Sequence, residues 1–509
     1  MKPYKFTYIT IAAVMLLSSG CEKYLDKPEE AKIITVQQTD YTIASDMIKP
    51  LLGTYSEFNR IEWEDIPLIA VRGDDVNAGG KGDQQPFEDT DNYIYSKDYW
   101  MYNSLFQNFF QNLYAVNSAM EQIAEYQKAG ASQTLGDQYI AEAKVIKSWW
   151  LFQLSRVWGA LPIPPTSDPQ KVLITPLSSK DEIMQQISTW MDEAIPMLPN
   201  LRPNQRTDIP GGVTKYTALA MKALANLELK NYEAVSDATG QIINSGLFSL
   251  EPDFYELFKI KGKLNNENLL ELQSSDLGQG SGENYAYPFA FFGPQGWTPA
   301  VTGAGDGWGF WEPSLKFIKF MLDRDEEVRL ETSVLFTPKG IAKIQEDPAY
   351  ANLPGWISNT TRSGDVINDY ARALFASGKQ YLPSDQLTPG RTDYGTNKNY
   401  PLIRYAGILL MYAEAVVQGA PATAISADEA VNLVRARAGL NPLSGVNLQQ
   451  VMDEKLAELA LETGERYYDM IRLQWYDQLS YDGKNFNPSE DIFLPYPQAQ
   501  VDQIPSLRQ

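Results

Sequence analysis

The chain has 509 residues, a formal net charge of −21, one cysteine and no histidine. Without an imidazole, Ser–His–Asp and Cys–His catalysis and histidine-based zinc sites are excluded, and a lone Cys21 excludes an intramolecular disulfide or a cysteine zinc cluster. The acidic balance repels phosphate backbones and argues against nucleic acid, while 44% hydrophobic and 12% aromatic residues predict a folded body of one large α-rich domain or two lobes.

Residues 1–20 read as an export signal. Lys2 and Lys5 give a positive start, and residues 9–17 form an apolar core too short to span a bilayer. Leu17-Ser18-Ser19-Gly20 then leads into Cys21. This resembles a bacterial lipobox, in which the cysteine is lipidated and becomes the new N-terminus. Ordinary secretion with an incidental cysteine is the alternative. Residues 21–50 read as anchor and tether, and 51–509 as the body. A polar loop lies at Arg72-Gly73-Asp74-Asp75-Val76-Asn77-Ala78-Gly79-Gly80.

Helical periodicity dominates from residue 102. Segments 102–128, 138–158, 180–198, 214–229 and 232–245 each carry an apolar face at steps of three and four. Ser179 with Glu182 has the spacing of a capping box. The pairs have the size of tetratricopeptide units, two antiparallel helices with small residues at the crossing, so 102–249 is read as a helical-pair scaffold. From 250 to 401 turn residues become frequent and helices short. Within 285–311, nine of 27 residues are aromatic and six are glycine. Residues 404–439 return to helix as a hairpin, with Ser426 as N-cap and Gly439 as a left-handed stop. Residues 448–475 predict a last long helix bent near Gly464, so 402–476 completes the scaffold. The tail, 485–509, is expected to be extended.

The hairpin and the segments C-terminal to it carry a family resemblance. Arg404, Tyr405, Leu409, Leu410 and residues 412–415 and 432–440 match one signature of the SusD/RagB outer-membrane lipoproteins of Bacteroidetes. Glu454, Lys455, Glu458, Leu459, Glu462, Gly464, residues 466–469 and Arg472 match a second, and Phe493-Leu494-Pro495-Tyr496-Pro497 matches the family's ending. Residues 21–26, 141–162 and 214–250 also fit. Lys455 stands where the family usually has arginine, and Gly407 where it has aspartate. The resemblance implies a mainly α, SusD-like fold: tetratricopeptide-like helix pairs and a loop-rich ligand-binding portion at 250–401. It implies non-catalytic glycan binding at the cell exterior, an outer-membrane anchor through Cys21, and a SusC-like TonB-dependent transporter as partner. Peptide capture of the RagB type is the alternative within the same architecture, and a helical glycoside hydrolase the alternative outside it.

Sugars present apolar C–H faces that stack on rigid aromatic rings. Trp297, Trp308 and Trp311, with Tyr285 and Tyr287, are the candidate platforms; the competing reading is a local mini-core under the loops. Arg72, Asp74, Asp75 and Asn77 form a second candidate group, since carboxylates and amides bind vicinal hydroxyls; the competing reading is a structural turn with an Arg–Asp pair. Asp75-x-Asn77-x-Gly79 hints at calcium, but Pro86 occupies the position where an EF-hand needs glutamate, so no cofactor is expected beyond an open possibility of calcium. Glu454, Glu458 and Glu462 share a helix face and read as salt-bridge partners of Lys455 or Arg466 rather than as a catalytic pair. Arg404, Arg435 and Arg437 read as partners of buried or interfacial acids.

Overall fold

A computed structural model describes residues 39–60, 65–275, 288–387 and 397–508. Cys21, Tyr285 and Tyr287 lie outside the described residues. After α1 (Lys49–Phe58) come β1 (Val76–Gly79) and α2 (Gln85–Asp91). The long α3 (Trp100–Lys128) buries Leu105, Phe109, Leu113, Val116 and Ile123 along one stripe, as the 3.6-residue period requires. In α4 (Gln133–Trp158) the Ser132 side chain accepts the Leu135 N–H, and Gly159 stops the helix. Then α5 (Lys180–Ala194) opens on the expected reciprocal box between Ser179 and Glu182. It is followed by α6 (Lys215–Glu228) and α7 (Tyr232–Asn244). Each helix from α3 to α7 packs on the next, and Ala218 and Ala223 are fully buried where α6 is crossed.

The chain then leaves the stack. It passes β2 (Asn268–Leu272), β3 (Trp297–Thr298), β4 (Phe310–Pro313), α8 (Leu315–Leu322), α9 (Glu327–Ser333) and β5 (Val334–Phe336). Next come β6 (Val366–Ile367), β7 (Phe375–Ser377) and β8 (Tyr400–Arg404). These strands make antiparallel two-stranded ribbons: β1 with β4, β2 with β8, β3 with β6, β5 with β7. From β8 the chain runs into α10 (Tyr405–Val417) and α11 (Ala427–Arg437), and α10 docks on α7 to resume the stack. Ser426 caps α11 by accepting the Glu429 N–H, and Gly439 takes φ 75°. The last long helix is two: α12 (Leu448–Leu459) and α13 (Glu465–Leu473), joined through Leu461 and Gly464 at φ 62° and 76°. A Cβ on Gly464 would sit 2.7 Å from the Ala70 Cα, so only glycine fits this joint. The tail is not wholly extended: α14 (Gln498–Gln503) lies on α3. The architecture is mainly α.

A buried ion network ties the returning hairpin to the loop-rich portion. Arg404 donates to Glu267 at 2.6 Å, Glu458 at 2.9 Å and Glu462 at 2.7 Å. Arg437 reaches Glu267 and Glu458, and Arg435 reaches Glu454 at 3.0 Å. From the loop-rich side Arg329 and Arg324 both reach Glu454 at 2.7 Å, and Lys379 reaches Glu462 at 2.8 Å. The arginines thus pair with buried acids as expected, but the partners of the glutamates differ from expectation. Lys455 turns to Asp469 and Glu414 instead, because one residue along a helix is about 100° around it. Arg466 lies beyond the joint and pairs with Asp74.

The stretch 72–75 belongs to this frame, not to an open surface. Arg72 is fully buried, its guanidinium 4.3 Å over the Tyr467 ring and bonded to the Tyr468 hydroxyl at 2.9 Å. Asp74 is held by Arg466 at 2.6 Å and Lys316 at 2.7 Å. Asp75 accepts the Leu461 N–H at 2.9 Å, while its other oxygen is buried without a hydrogen bond. These three side chains therefore offer no atom to a ligand from outside, and no Arg72–Asp pair forms. The driving force is the docking of α13, which places its tyrosines and Arg466 over the loop.

Two stability measurements test this network. Burial alone would raise the Glu458 carboxyl, but Arg437, Arg404, Arg329 and Lys379 outweigh it and lower its pKa from 4.5 to about 2. The folded state therefore gains stability above the unfolded-state pKa and loses it as pH falls from about 4.5 towards about 2. Urea unfolding should find Glu458→Gln less stable than wild type by ~3 kcal/mol at neutral pH, with the gap closing across that acid window. Asp75 has the opposite sign: burial, reinforced by Asp74, raises it from 3.8 to about 6. Ionising it costs the folded state stability as pH rises from about 3.8 to about 6. Asp75→Asn keeps an acceptor for Leu461, so it should gain on wild type as pH rises through that window and lose the advantage below it.

Candidate functional site

The two stretches singled out in sequence meet in one ribbon. Antiparallel pairing of β1 with β4 sets Asn77 opposite Glu312 and Gly79 opposite Phe310. The strands approach closely because Gly79 takes φ 63°, where a Cβ would lie 2.8 Å from the Gly309 carbonyl oxygen. Beyond the pairing the Gly80 N–H donates to the Gly309 carbonyl at 3.2 Å, and the Lys81 N–H to that of Arg372.

The tryptophans separate by burial. Trp311 is fully buried, packed at 4.8 Å against Phe292, with φ 63° turning its ring inward from β4. Trp297 is buried in a small core with Leu335, Ile367 and Tyr381, its ring edge-on to Tyr381. Neither ring has a free face, so both are corrected from platform to core, the mini-core alternative. Trp308 is half-buried and sits next to Gly309, at the end of the ribbon. Its N–H bonds the Ala290 carbonyl at 2.5 Å, which fixes the backbone that carries the ring. Of the described tryptophans in 285–311, Trp308 is the least buried, packed against the core with part of its surface in solvent.

Beside the ribbon lies a cavity of about 380 Å³, lined by Asn77, Lys81, Asp91, Glu312 and Lys484 among others. That volume is in the range of small-ligand sites, about 300–1,000 Å³. Asn77 is half-buried, and its Oδ1 accepts from Lys484 at 2.9 Å and from the Tyr481 hydroxyl at 3.2 Å. Its amide N–H₂ has no partner among the described residues and is available to an incoming acceptor. The exposed Lys81 ammonium is likewise free of hydrogen bonds among them.

Two carboxylates of the cavity, Asp91 and Glu312, are already engaged. Asp91 accepts the Ala78 N–H at 3.0 Å through one oxygen and Lys484 through the other. Glu312 accepts the N–H groups of Leu374 and Phe375 through one oxygen. Burial raises both acids, with Lys484 pulling Asp91 back and the two backbone bonds pulling Glu312 back. With both its oxygens bonded, Asp91 is a brace rather than a general acid. Among the described residues no group of three His, Cys, Asp or Glu could hold a metal ion.

Sequence reasoning missed Lys81, Asp91, Glu312 and Lys484. Asp91 and Lys484 stand 393 positions apart, so no local pattern joins them. Glu312 carried a signal in hindsight: it is the lone acid in Phe310-Trp311-Glu312-Pro313, and a charge on a buried strand needs partners.

Comparison with known proteins supplies the family. A model described as "SusD family" matches residues 266–509, and one described as "Starch-binding associating with outer membrane" matches residues 53–225. A SusD-like protein of Bacteroides ovatus is 22% identical over 573 residues, covering 99% of this chain and 97% of that one. SusD-like protein P38 of Formosa agariphila is 25% identical, covering 92% of each. Surface glycan-binding protein A of Bacteroides thetaiotaomicron, solved in complex with laminarihexaose, has the same fold: TM-score 0.73 and 20% identity, over 91% of this chain and 98% of that one. With family models matching residues 53–225 and 266–509 and the fold shared over 91% of the chain, the chain belongs to the SusD/RagB family.

Proposed function

We propose that this protein captures glycans without cleaving them and passes them to a SusC-like TonB-dependent transporter. In this reading it is held on the outer face of the outer membrane by a lipid on Cys21, after removal of residues 1–20. The portion 250–401, together with residues 77–91 and Lys484 laid against it, provides the binding surface and the segments 102–249 and 402–476 the scaffold. The observation that carries it is the cavity beside the ribbon, which offers the free Asn77 amide and the Lys81 ammonium, with the half-buried Trp308 next to Gly309 at the ribbon's end. An indole face takes the C–H face of a sugar ring, and amide and ammonium donors take its hydroxyls. Relatives named for laminarin and starch binding support the glycan class, and the engagement of Asp91 supports binding without hydrolysis. No helix among the described residues is long and apolar enough to cross a membrane.

Purified mature protein titrated calorimetrically against glycan and peptide panels tests this. A saturable response to at least one oligosaccharide is expected, weakened about tenfold in Trp308→Ala, the value of one lost stacking partner. Saturable peptide binding with no glycan response would replace the glycan by the peptide reading. Reducing ends appearing on prolonged incubation would contradict binding without cleavage.

A further inference from the structure

The C-terminal helix α14 does more than end the chain. Gln500 donates to Asn103 at 2.9 Å and staples α14 to α3. Together with residues 169–173 the two helices wall a groove of about 410 Å³. No carboxylate, lysine or arginine lines it, on a chain whose net charge is −21. Gln107, Gln111 and Tyr114 reach it from one face of α3, at steps of four and three, over about 10 Å of helix. Gln170 and Gln503 reach it from the other walls. The side chains of these four glutamines and the Tyr114 hydroxyl have no hydrogen-bond partner among the described residues. Tyr114 is half-buried and leans on Phe110, ring centroids 6.3 Å apart.

We propose that this groove is a second glycan subsite, taking a neutral segment of an oligosaccharide. Its ligand class rests on the proposed glycan function, but its place does not depend on the ribbon site. A free amide offers donor and acceptor together, the complement of a hydroxyl, and an aromatic ring between amides matches a C–H face. A uronate or sulfated sugar would find no cation here, which selects neutral rings. A protein partner is the less fitting occupant, since a stable interface needs about 800 Å² on each side, far more than one groove offers.

The test uses the full mature chain and a panel of neutral hexasaccharides that includes laminarihexaose, read by saturation-transfer NMR and calorimetry. A Trp308→Ala/Asn77→Ala variant isolates the groove. Residual saturable binding is expected in it, and is expected to vanish when Gln111→Ala and Tyr114→Ala are added. Where the alanine pair lowers the melting temperature, Gln107→Glu/Gln170→Glu, at two exposed positions, should give the same loss. If wild type binds a hexasaccharide and the Trp308→Ala/Asn77→Ala variant binds none, the groove is overturned and the ribbon site stands. Residual binding that survives the groove substitutions overturns it as well. Wild-type binding to no member of the panel overturns the glycan reading and the groove with it.

Discussion

Glu458 is the point through which the two parts of the molecule are tied. Fully buried, it meets guanidinium groups from the strand that re-enters the stack and from the hairpin, while Glu454 on the same helix and Glu462 in the joint after it meet cations of the loop-rich portion. A buried charge left without its partner costs several kcal/mol, so α12 seats only where every acid finds a cation. That seating fixes Leu461, whose N–H holds Asp75, and the Gly464 joint against Ala70. α13 then clamps Arg72 and Asp74, from which β1 runs to its pairing with β4. The binding surface hangs from this chain of contacts, and no link in it is local in sequence.

This explains which features could be read in advance. Helices α3 to α7 and the hairpin follow from periodicity and caps, since the information lies within a few residues: Ser179 with Glu182, Ser426 with Glu429, Gly439 at the stop. The break at Gly464 was legible for the same reason. What escaped was pairing at a distance. Composition marked 285–311 as unusual, yet a glycine- and aromatic-rich stretch is consistent with a platform and with a small core. The outcome differs residue by residue: Trp311 and Trp297 went fully inward on short strands, and Trp308, on the loop before β4, packs only partly against the core. Arg72, Asp74 and Asp75 looked like ligand groups because polar residues in a loop usually face water. They face α13 and the joint before it, nearly four hundred residues away.

The site and the groove differ in charge as well as place. At the ribbon both signs are present, with Asp91 and Glu312 engaged within the protein and the Asn77 amide and Lys81 ammonium left for an incoming ligand. At α3 and α14 the wall is neutral throughout. In an acidic protein, neutral concave surface with uncommitted amides is the chemistry of uncharged polyols, and it pairs naturally with a scaffold whose charges are spent internally on holding itself together.

The most direct measurement of the central claim is a crystal structure of the mature protein with a bound neutral oligosaccharide. The account predicts a sugar ring on the exposed face of Trp308, with a hydroxyl within hydrogen-bond reach of the Asn77 amide. Ligand density found only elsewhere on the surface, with the Trp308 face bare, would contradict it.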